Sequence, residues 1–463
     1  MLLEPFKPYP RDMDAAERGW LARIGKIISS RAGVVPAGVH GPPLGLAQLA
    51  AVLLQRGHDV VHEPFILKAV SGDVTDAYIE KRLSRIRFDV VGLSIGDPLS
   101  GTEALRYAAV VKRAMPGTLV VAGGMQPTFN PAPFLEPGTI DVVIRGRGEA
   151  AFPAVIDALL NGWRTSSIPG ACVKGAISPD RAVEIPAADL PPVDFDAVQA
   201  PRYLKRNPFA NVQTSLGCPH ACPFCLHASF WGATPEHRPV ANVETEMRYL
   251  NDHGCKAGYI VDPAFTLDPA RARRVIDMLA GIGNEVQLGF ETRADAVSPG
   301  VLEGATRARL ALAWLGAESG SPAVLARLHG KHRGAGKKHL EDLRTATVAI
   351  KEAGLVAGSS WILGLPGETR DTIEETLAFM KELIDLGMDI IDARALALFP
   401  GTPYHDDPAA HGLVVEDPSD EKQSFGFVSC GTEALGAAEI AASLARVRHE
   451  TLAAALAGEG RSR

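Results

Sequence analysis

The segment TSLGCPHACPFCLHASF places Cys218, Cys222 and Cys225 close together in the spacing C-x-x-x-C-x-x-C. Thiolates are soft ligands, so the first question is which metal a trio of them would hold. Zinc wants four donors, and His220 or His227 beside the cysteines could complete a Cys3His site. Zinc sites, however, usually pair two C-x-x-C knuckles well apart in sequence, and this sequence has no second pair. Three thiolates can instead hold three irons of a [4Fe–4S] cluster, leaving the fourth iron without a protein ligand. That open iron could chelate the amino and carboxylate groups of S-adenosylmethionine. One electron into the sulfonium would then break a C–S bond and release a 5'-deoxyadenosyl radical. The other cysteines, Cys172, Cys255 and Cys430, are scattered and read as small buried side chains of a reduced protein.

Further groups that could do chemistry sit at the ends of apolar runs. Asp262 closes GYIVD, Glu291 and Arg293 lie in FETR, Glu318 closes LALAWLGAE, and Asp392 and Arg394 lie in IIDARALAL. For Glu291 and Arg293 two readings stand side by side: a buried ion pair, or side chains that shape a substrate pocket. The Lys-, Arg- and His-rich stretch RLHGKHRGAGKKHLED reads either as a solvated loop or as a cover over an anionic group.

Strands alternating with helices must position these residues. From about Asn211 the runs NVQTSLG, GYIVD, VQLGFE, LALAWLGAE, AGSSWILG and IIDARALAL predict strands. The stretches Val243–His253, Pro269–Ala280, Ser298–Thr306, Pro322–Leu328, Lys338–Ala353 and Asp371–Leu386 predict helices between them. Eight such units would close a barrel; six leave it open along one side, with the chemistry at the C-terminal ends of the strands. Upstream, PPLGLAQLAAVLLQRG and EALRYAAVVKRAMPG have helical periodicity, while HDVVHE, FDVVGLSIG, TLVVAGG and DVVIRG are short β-branched runs. These predict a doubly wound parallel sheet, with ligands expected where glycines end the strands. A stretch rich in Pro and Asp, GAISPDRAVEIPAADLPPVDFDAVQAPRYLKRNP, reads as a connector. The expected organisation is α/β throughout: a Rossmann-like domain over residues 1–165, a connector over 166–207, a partial (β/α)6 barrel over 208–405 and a helical tail over 406–463.

Composition narrows the function classes. The formal net charge of -7 argues against a nucleic-acid partner. No apolar run is long enough to span a membrane. The start MLLEPFKPYPRDMDAAERGW has acidic residues and prolines where a secretory signal would be apolar, so a cytoplasmic location is expected.

The cysteine motif, with Phe224 before its third cysteine, resembles the radical S-adenosylmethionine superfamily, and so do the strand-end signatures YIVDPAFTLDPAR, FETRADAV, LGAESGSPAVL, ILGLPGETRDTIEET and ALFPGTPYH. The resemblance implies that Cys218, Cys222 and Cys225 hold the cluster. It also implies that Glu318 hydrogen-bonds the S-adenosylmethionine ribose, that Ser359, Ser360 and the backbone around Leu363 line the adenine and methionine side, and that Phe224 packs near the adenine. Glu291, Arg293 and Asp262 are the candidates for roles in the reaction itself. Residues 38–162 resemble the cobalamin-binding domain fused ahead of such barrels. This implies a corrinoid at Ser94, Gly96, Gly123, Gly124, Gly146 and Glu149, with Gly148 beside them. The D-x-H-x-x-G motif of methionine-synthase-type domains is missing, and His40, His58 and His62 lack its context. A bound corrinoid is therefore expected without a histidine on its lower face, and a structural domain without the cofactor is the alternative.

The expected activity is carbon methylation of a small molecule, such as a secondary-metabolite intermediate. One S-adenosylmethionine would methylate the corrinoid and a second would supply the radical, with electrons from an external flavodoxin- or ferredoxin-type donor. The alternatives are a radical dehydratase, cyclase or rearranging oxidoreductase on the same scaffold, and a corrinoid or metal carrier without turnover.

Overall fold

The structure, a computed structural model, describes residues 1–3, 41–69, 74–85, 87–96, 98–328, 335–419 and 427–461. Two open sheets carry the architecture. The first has five strands in the order β1 (Leu2–Leu3), β2 (Val90–Ser94), β3 (Leu119–Gly123), β4 (Val142–Ile144) and β5 (Ala171–Cys172). The first four run parallel and β5 is antiparallel to β4. β2 and β4 are buried along nearly their whole length, as strands covered on both faces must be. Helix Leu44–Gln55 and helix Gly148–Leu160 pack with one side of this sheet, and helix Pro98–Ala114 with the other.

Two details depart from the sequence reading. HDVVHE forms no strand; only His62 makes a parallel bridge, and it does so to Leu2. The edge place beside β2 goes to Leu2–Leu3, both almost fully buried. The stretch expected as a connector also contributes β5 to the first sheet.

The second sheet has six parallel strands: β6 (Phe209–Val212), β9 (Ala257–Ile260), β10 (Gln287–Arg293), β11 (Leu310–Glu318), β12 (Val356–Leu363) and β13 (Ile390–Ala395). β6 and β13 are its two edges, so the barrel is partial, as six units predict. Helices Val240–Asp252, Pro269–Gly281, Ala335–Glu352 and Arg370–Asp385 cover its outer face. The inner face has its own apolar plug of Leu312, Val356 and Ile390, with Tyr259 and Trp314 against them. Here rings lie over glycines. A Cβ on Gly289 would meet the Tyr259 ring at 2.7 Å, and one on Gly358 would meet Trp314 at 2.5 Å. The plug fills the barrel at this level and leaves the C-terminal strand ends for the site. The tail helix Ala437–Arg461 packs against β13 and helix Arg370–Asp385.

Candidate functional site

The turn that leads to the cysteines is fixed before they are reached. Asp262, just beyond β9, is almost fully buried, and all its polar contacts point back to the chain after β6. It accepts from the Thr214 amide at 2.6 Å, from the Thr214 hydroxyl at 2.5 Å and from the Ser215 hydroxyl at 2.8 Å. Burial pushes its carboxyl up, against the pull of these donors. The Thr214 carbonyl accepts from the Arg238 amide and from Arg271. Arg238 in turn forms a buried ion pair with Glu246, whose carboxylate also accepts from the Val193 amide. Asp262 was expected among the reacting groups. In the structure its oxygens accept from Thr214 and Ser215, so it holds the turn that leads to the cysteines.

The short strand β7 (Ser215–Leu216) pairs with β8 (Glu236–His237), and the cysteine loop hangs between them. Cys218 donates its amide to the Gly232 carbonyl, and Cys225 donates its amide to the Cys222 carbonyl. Cys225 caps helix Leu226–Trp231, with the His227 amide 3.5 Å from its sulfur. The three cysteines are half-buried. Burial, with Glu318 and the other sulfurs nearby, pushes the Cys222 thiol up to about 12, and burial pushes Cys225 to about 11. Three thiolates in such a hollow need a cationic centre to hold them. Among the described residues no three His, Cys, Asp or Glu side chains converge on one point suited to a single ion. Buried ring nitrogens of His220 and His227 lack partners, and no contact between them and the sulfurs is seen apart from the His227 amide.

The strand ends around this loop carry the expected side chains, with alternation deciding which of them face inward. On β12, Ser360 faces inward and accepts from the Trp314 indole at 2.6 Å. Ser359 cannot share that face. It is fully buried, accepts from the Trp361 indole at 2.9 Å and donates to the Ile390 carbonyl. Leu363 likewise packs with the outer core, so only its backbone reaches the strand end. Of the expected pair of serines, only Ser360 faces inward.

Glu318 ends β11 in a left-handed backbone conformation, φ 64°, beyond a register shift at Gly316. A Cβ on Gly316 would lie 2.7 Å from the Glu318 carboxylate, so the glycine makes room for it. Burial pushes Glu318 up to about 7, with Arg293 pulling the other way. A non-glycine residue held at positive φ at a strand end is strained backbone of the kind that gathers at functional sites.

Arg293 does not pair with Glu291. It forks onto Asp295 at 2.9 and 2.8 Å. Glu291 reaches open space, yet the surrounding wall pushes its carboxyl up. Asp392 is buried and takes both contacts from Arg394 on its own strand. Phe224 is half-buried against the core. Tyr404, in ALFPGTPYH, donates its amide to the Pro223 carbonyl and so ties that segment to the cysteine loop. Residues 329–334 of the basic stretch lie outside the described residues. Beyond them Lys338 is helical and paired with Asp342.

The first sheet ends in a cavity of about 200 Å³. Ser94, Gly96, Gly123, Gly124, Gly146, Gly148 and Glu149 line it, so the expected positions come together. Over Gly96 an added Cβ would meet nothing within 4 Å, and over Gly123 only Ile144 at 3.7 Å, which leaves a cradle that a ligand can fill. Gly124 is different. It has φ 110°, and a Cβ there would sit 2.4 Å from the Ile95 carbonyl oxygen, so the backbone itself demands this glycine. Glu149 is buried 3.6 Å from Arg147, which also faces Glu184 and Glu236 at 3.6 and 3.9 Å. His62 is buried elsewhere, between the Leu2 carbonyl and the Tyr203 hydroxyl, and His58 lies near Asp157. His40 lies outside the described residues.

The opposite wall of the cavity was not anticipated. It is made by Phe230 and Trp231, the end of the helix that Cys225 begins. Both aromatics stand in the quoted cysteine segment, but nothing in their spacing says that they face another sheet.

Comparison with known proteins agrees with this arrangement. Residues 30–156 match the B12 binding domain, and residues 212–380 match the radical SAM superfamily. An uncharacterized methyltransferase of Pyrococcus horikoshii is 29% identical over 82% of this chain and 81% of its own. An anaerobic magnesium-protoporphyrin IX monomethyl ester cyclase of Synechocystis is 27% identical over 74% of this chain and 68% of its own. The structure of the radical S-adenosylmethionine methyltransferase TsrM from Kitasatospora setae, with tryptophan substrate and an S-adenosylmethionine analogue, shares the fold. Its TM-score is 0.72 at 18% identity, over 92% of this chain and 87% of that one.

Proposed function

This chain is a radical S-adenosylmethionine enzyme with a cobalamin-binding domain, and from that premise we propose that it methylates a carbon centre of a small molecule. The observation that carries the reading is helix Leu226–Trp231. Cys225 caps its start, and Phe230 and Trp231 at its end wall the glycine cavity. At 1.5 Å per residue the two ends are about 9 Å apart. This one short helix joins the wall of the cysteine hollow to the wall of the glycine cavity, so groups held at the two sites would lie near one another.

Cys218, Cys222 and Cys225 would hold the [4Fe–4S] cluster and leave one iron for S-adenosylmethionine. Ser360, the backbone around Leu363, Phe224 and the carboxyl of Glu318 would orient that cofactor. Ser94, Gly96 and Gly123 would admit the corrinoid, with Trp231 closing over it. When bound, the cluster and S-adenosylmethionine supply a hydrogen-abstracting radical, and the corrinoid supplies the methyl group from a second S-adenosylmethionine. Glu291 and Arg293, at the inward end of β10, would face the substrate between them. The apolar plug of the barrel and the aromatic wall would limit water around a bound substrate.

The test is anaerobic reconstitution with quantification of iron, sulfide and cobalt, followed by a count of S-adenosylmethionine consumed against methylated product. About four irons and one cobalt per chain, with two S-adenosylmethionine used per methyl delivered, is the expected result. The similarity to the cyclase favours a second reading, radical cyclisation or oxidation without methyl transfer. Turnover that yields 5'-deoxyadenosine and an unmethylated product would establish that reading instead.

A further inference from the structure

A second cavity, about 520 Å³, lies where distant parts of the chain meet. Arg145 comes from the end of β4, Arg181 from the connector, Ser229 from the cysteine helix, and His405 and Asp406 from the segment after β13. Its two guanidiniums are anchored by main-chain carbonyls, with no ion pair to either within 4 Å among the described residues. Arg145 donates to the carbonyls of Thr128 at 2.9 Å and Ser178 at 2.5 Å. Arg181 donates to the Ser229 carbonyl and lies over the Phe129 ring, 4.9 Å from its centroid. Every hydrogen bond these two side chains make among the described residues goes to a main-chain carbonyl. Of the nearby carboxylates, Glu149 and Glu236 lie around Arg147, Glu184 attracts both Arg147 and Arg181, and Asp406, on the cavity wall, lies 3.2 Å from His405.

Two like charges that share a half-buried cavity repel each other. Burial and then the Arg145 charge lower the pKa of Arg181, and Glu184 offsets this only in part. An arrangement of that kind is stabilised by an anion that takes donors from both, and planar guanidiniums suit the paired oxygens of a carboxylate or phosphate.

We propose that this cavity is an anion subsite in which Arg145 and Arg181 together bind a carboxylate or phosphate group. Two sources present that chemistry: an anionic group of the substrate, and the phosphodiester in the nucleotide tail of cobalamin. The cavity adjoins the glycine cavity: Arg145 here precedes Gly146 there, and Ser229 here precedes Phe230 and Trp231 there on one helix, which puts both sources nearby. The assignment does not depend on methyl transfer, because binding is measured directly.

The first arm titrates inorganic phosphate into the protein by calorimetry at constant ionic strength. Wild type should bind, Arg181→Lys should bind within a few-fold, and Arg181→Gln should bind about tenfold more weakly or worse. Equal affinity in all three proteins would overturn the proposal. Should Arg181→Gln fail to fold, wild type alone decides. Its melting temperature should rise in phosphate and stay level in chloride of the same ionic strength, and equal behaviour in both salts would overturn the subsite. The second arm compares cobalamin with cobinamide, which lacks the phosphodiester, by corrin absorbance. If Arg181→Gln weakens cobalamin alone, the anion belongs to the cofactor. If it spares both while phosphate binding is lost, the anion belongs to the substrate.

Discussion

At the scale of single residues, hydrogen bonds separate groups that react from groups that hold. Asp262 accepts three times from the turn before Cys218. Removing a buried, fully engaged carboxylate strands its donors, so Asp262→Ala should cost about 2–4 kcal/mol of stability by chemical denaturation. It should also lower iron retention after reconstitution. A purely catalytic Asp262 would leave both unchanged. Replacing Cys218, Cys222 or Cys225 by Ala should abolish 5'-deoxyadenosine formation and lower bound iron; a Cys222→Ala protein with wild-type iron and activity would refute the cluster assignment. The cysteines stand out in the sequence from spacing alone, because metal chemistry constrains residue type so tightly. The serines do not. Ser359 and Ser360 look alike in sequence, and only the strand's alternation turns one inward and the other to Trp361.

At the scale of elements, the β-branched runs predicted the strands of both sheets well, because strands covered on both faces must be apolar throughout. HDVVHE misled for the same reason. Its composition suits a strand, but the edge place was taken by Leu2–Leu3, a contact of long sequence separation that no local pattern reveals. The glycines after β2 and β3 were legible as a group, yet they divide into two kinds. Gly96 has empty space over it, whereas Gly124 is held by the Ile95 carbonyl. Gly96→Phe should therefore lower cobalt occupancy while sparing iron, measured on the same reconstituted sample. Gly124→Ala should lower folding yield before any question of cofactor arises.

The loop after β12 gives a pH signature. Glu368 is fully buried, accepts from the Gly364 amide, and has one oxygen without a partner. Burial pushes it up to about 7 from 4.5. The folded form then binds a proton more readily than the unfolded form. The stability this contributes is present below about pH 4.5 and is lost as pH rises through 7. The size is about 1–3 kcal/mol. Glu368→Gln should flatten the dependence of melting temperature on pH between 5 and 8; an unaltered slope would mean that another group titrates there.

At the scale of the whole molecule, the two sheets meet through contacts the sequence hides. Phe129, at the end of the short helix Met125–Phe129 after β3, closes on Gly401 beyond the second sheet so tightly that a Cβ there would overlap its ring. Arg147 draws Glu149, Glu184 and Glu236 together from the first sheet, the connector and β8. Neither junction has a local signature, because each depends on how separately folded layers come to rest. Among the described residues no helix is long and apolar enough to cross a membrane.

The six-residue helix from Leu226 to Trp231 has a further consequence, one of assembly order. On the proposed reading, cluster iron on Cys225 would tether its start, and Phe230 and Trp231 at its end would cover a corrinoid in the glycine cavity. Air that strips the metal should therefore slacken the lid, and the vitamin should leave faster from bleached protein than from brown. Linkage makes the converse equally binding: protein preloaded with the vitamin should surrender its iron to a chelator more slowly than protein without it.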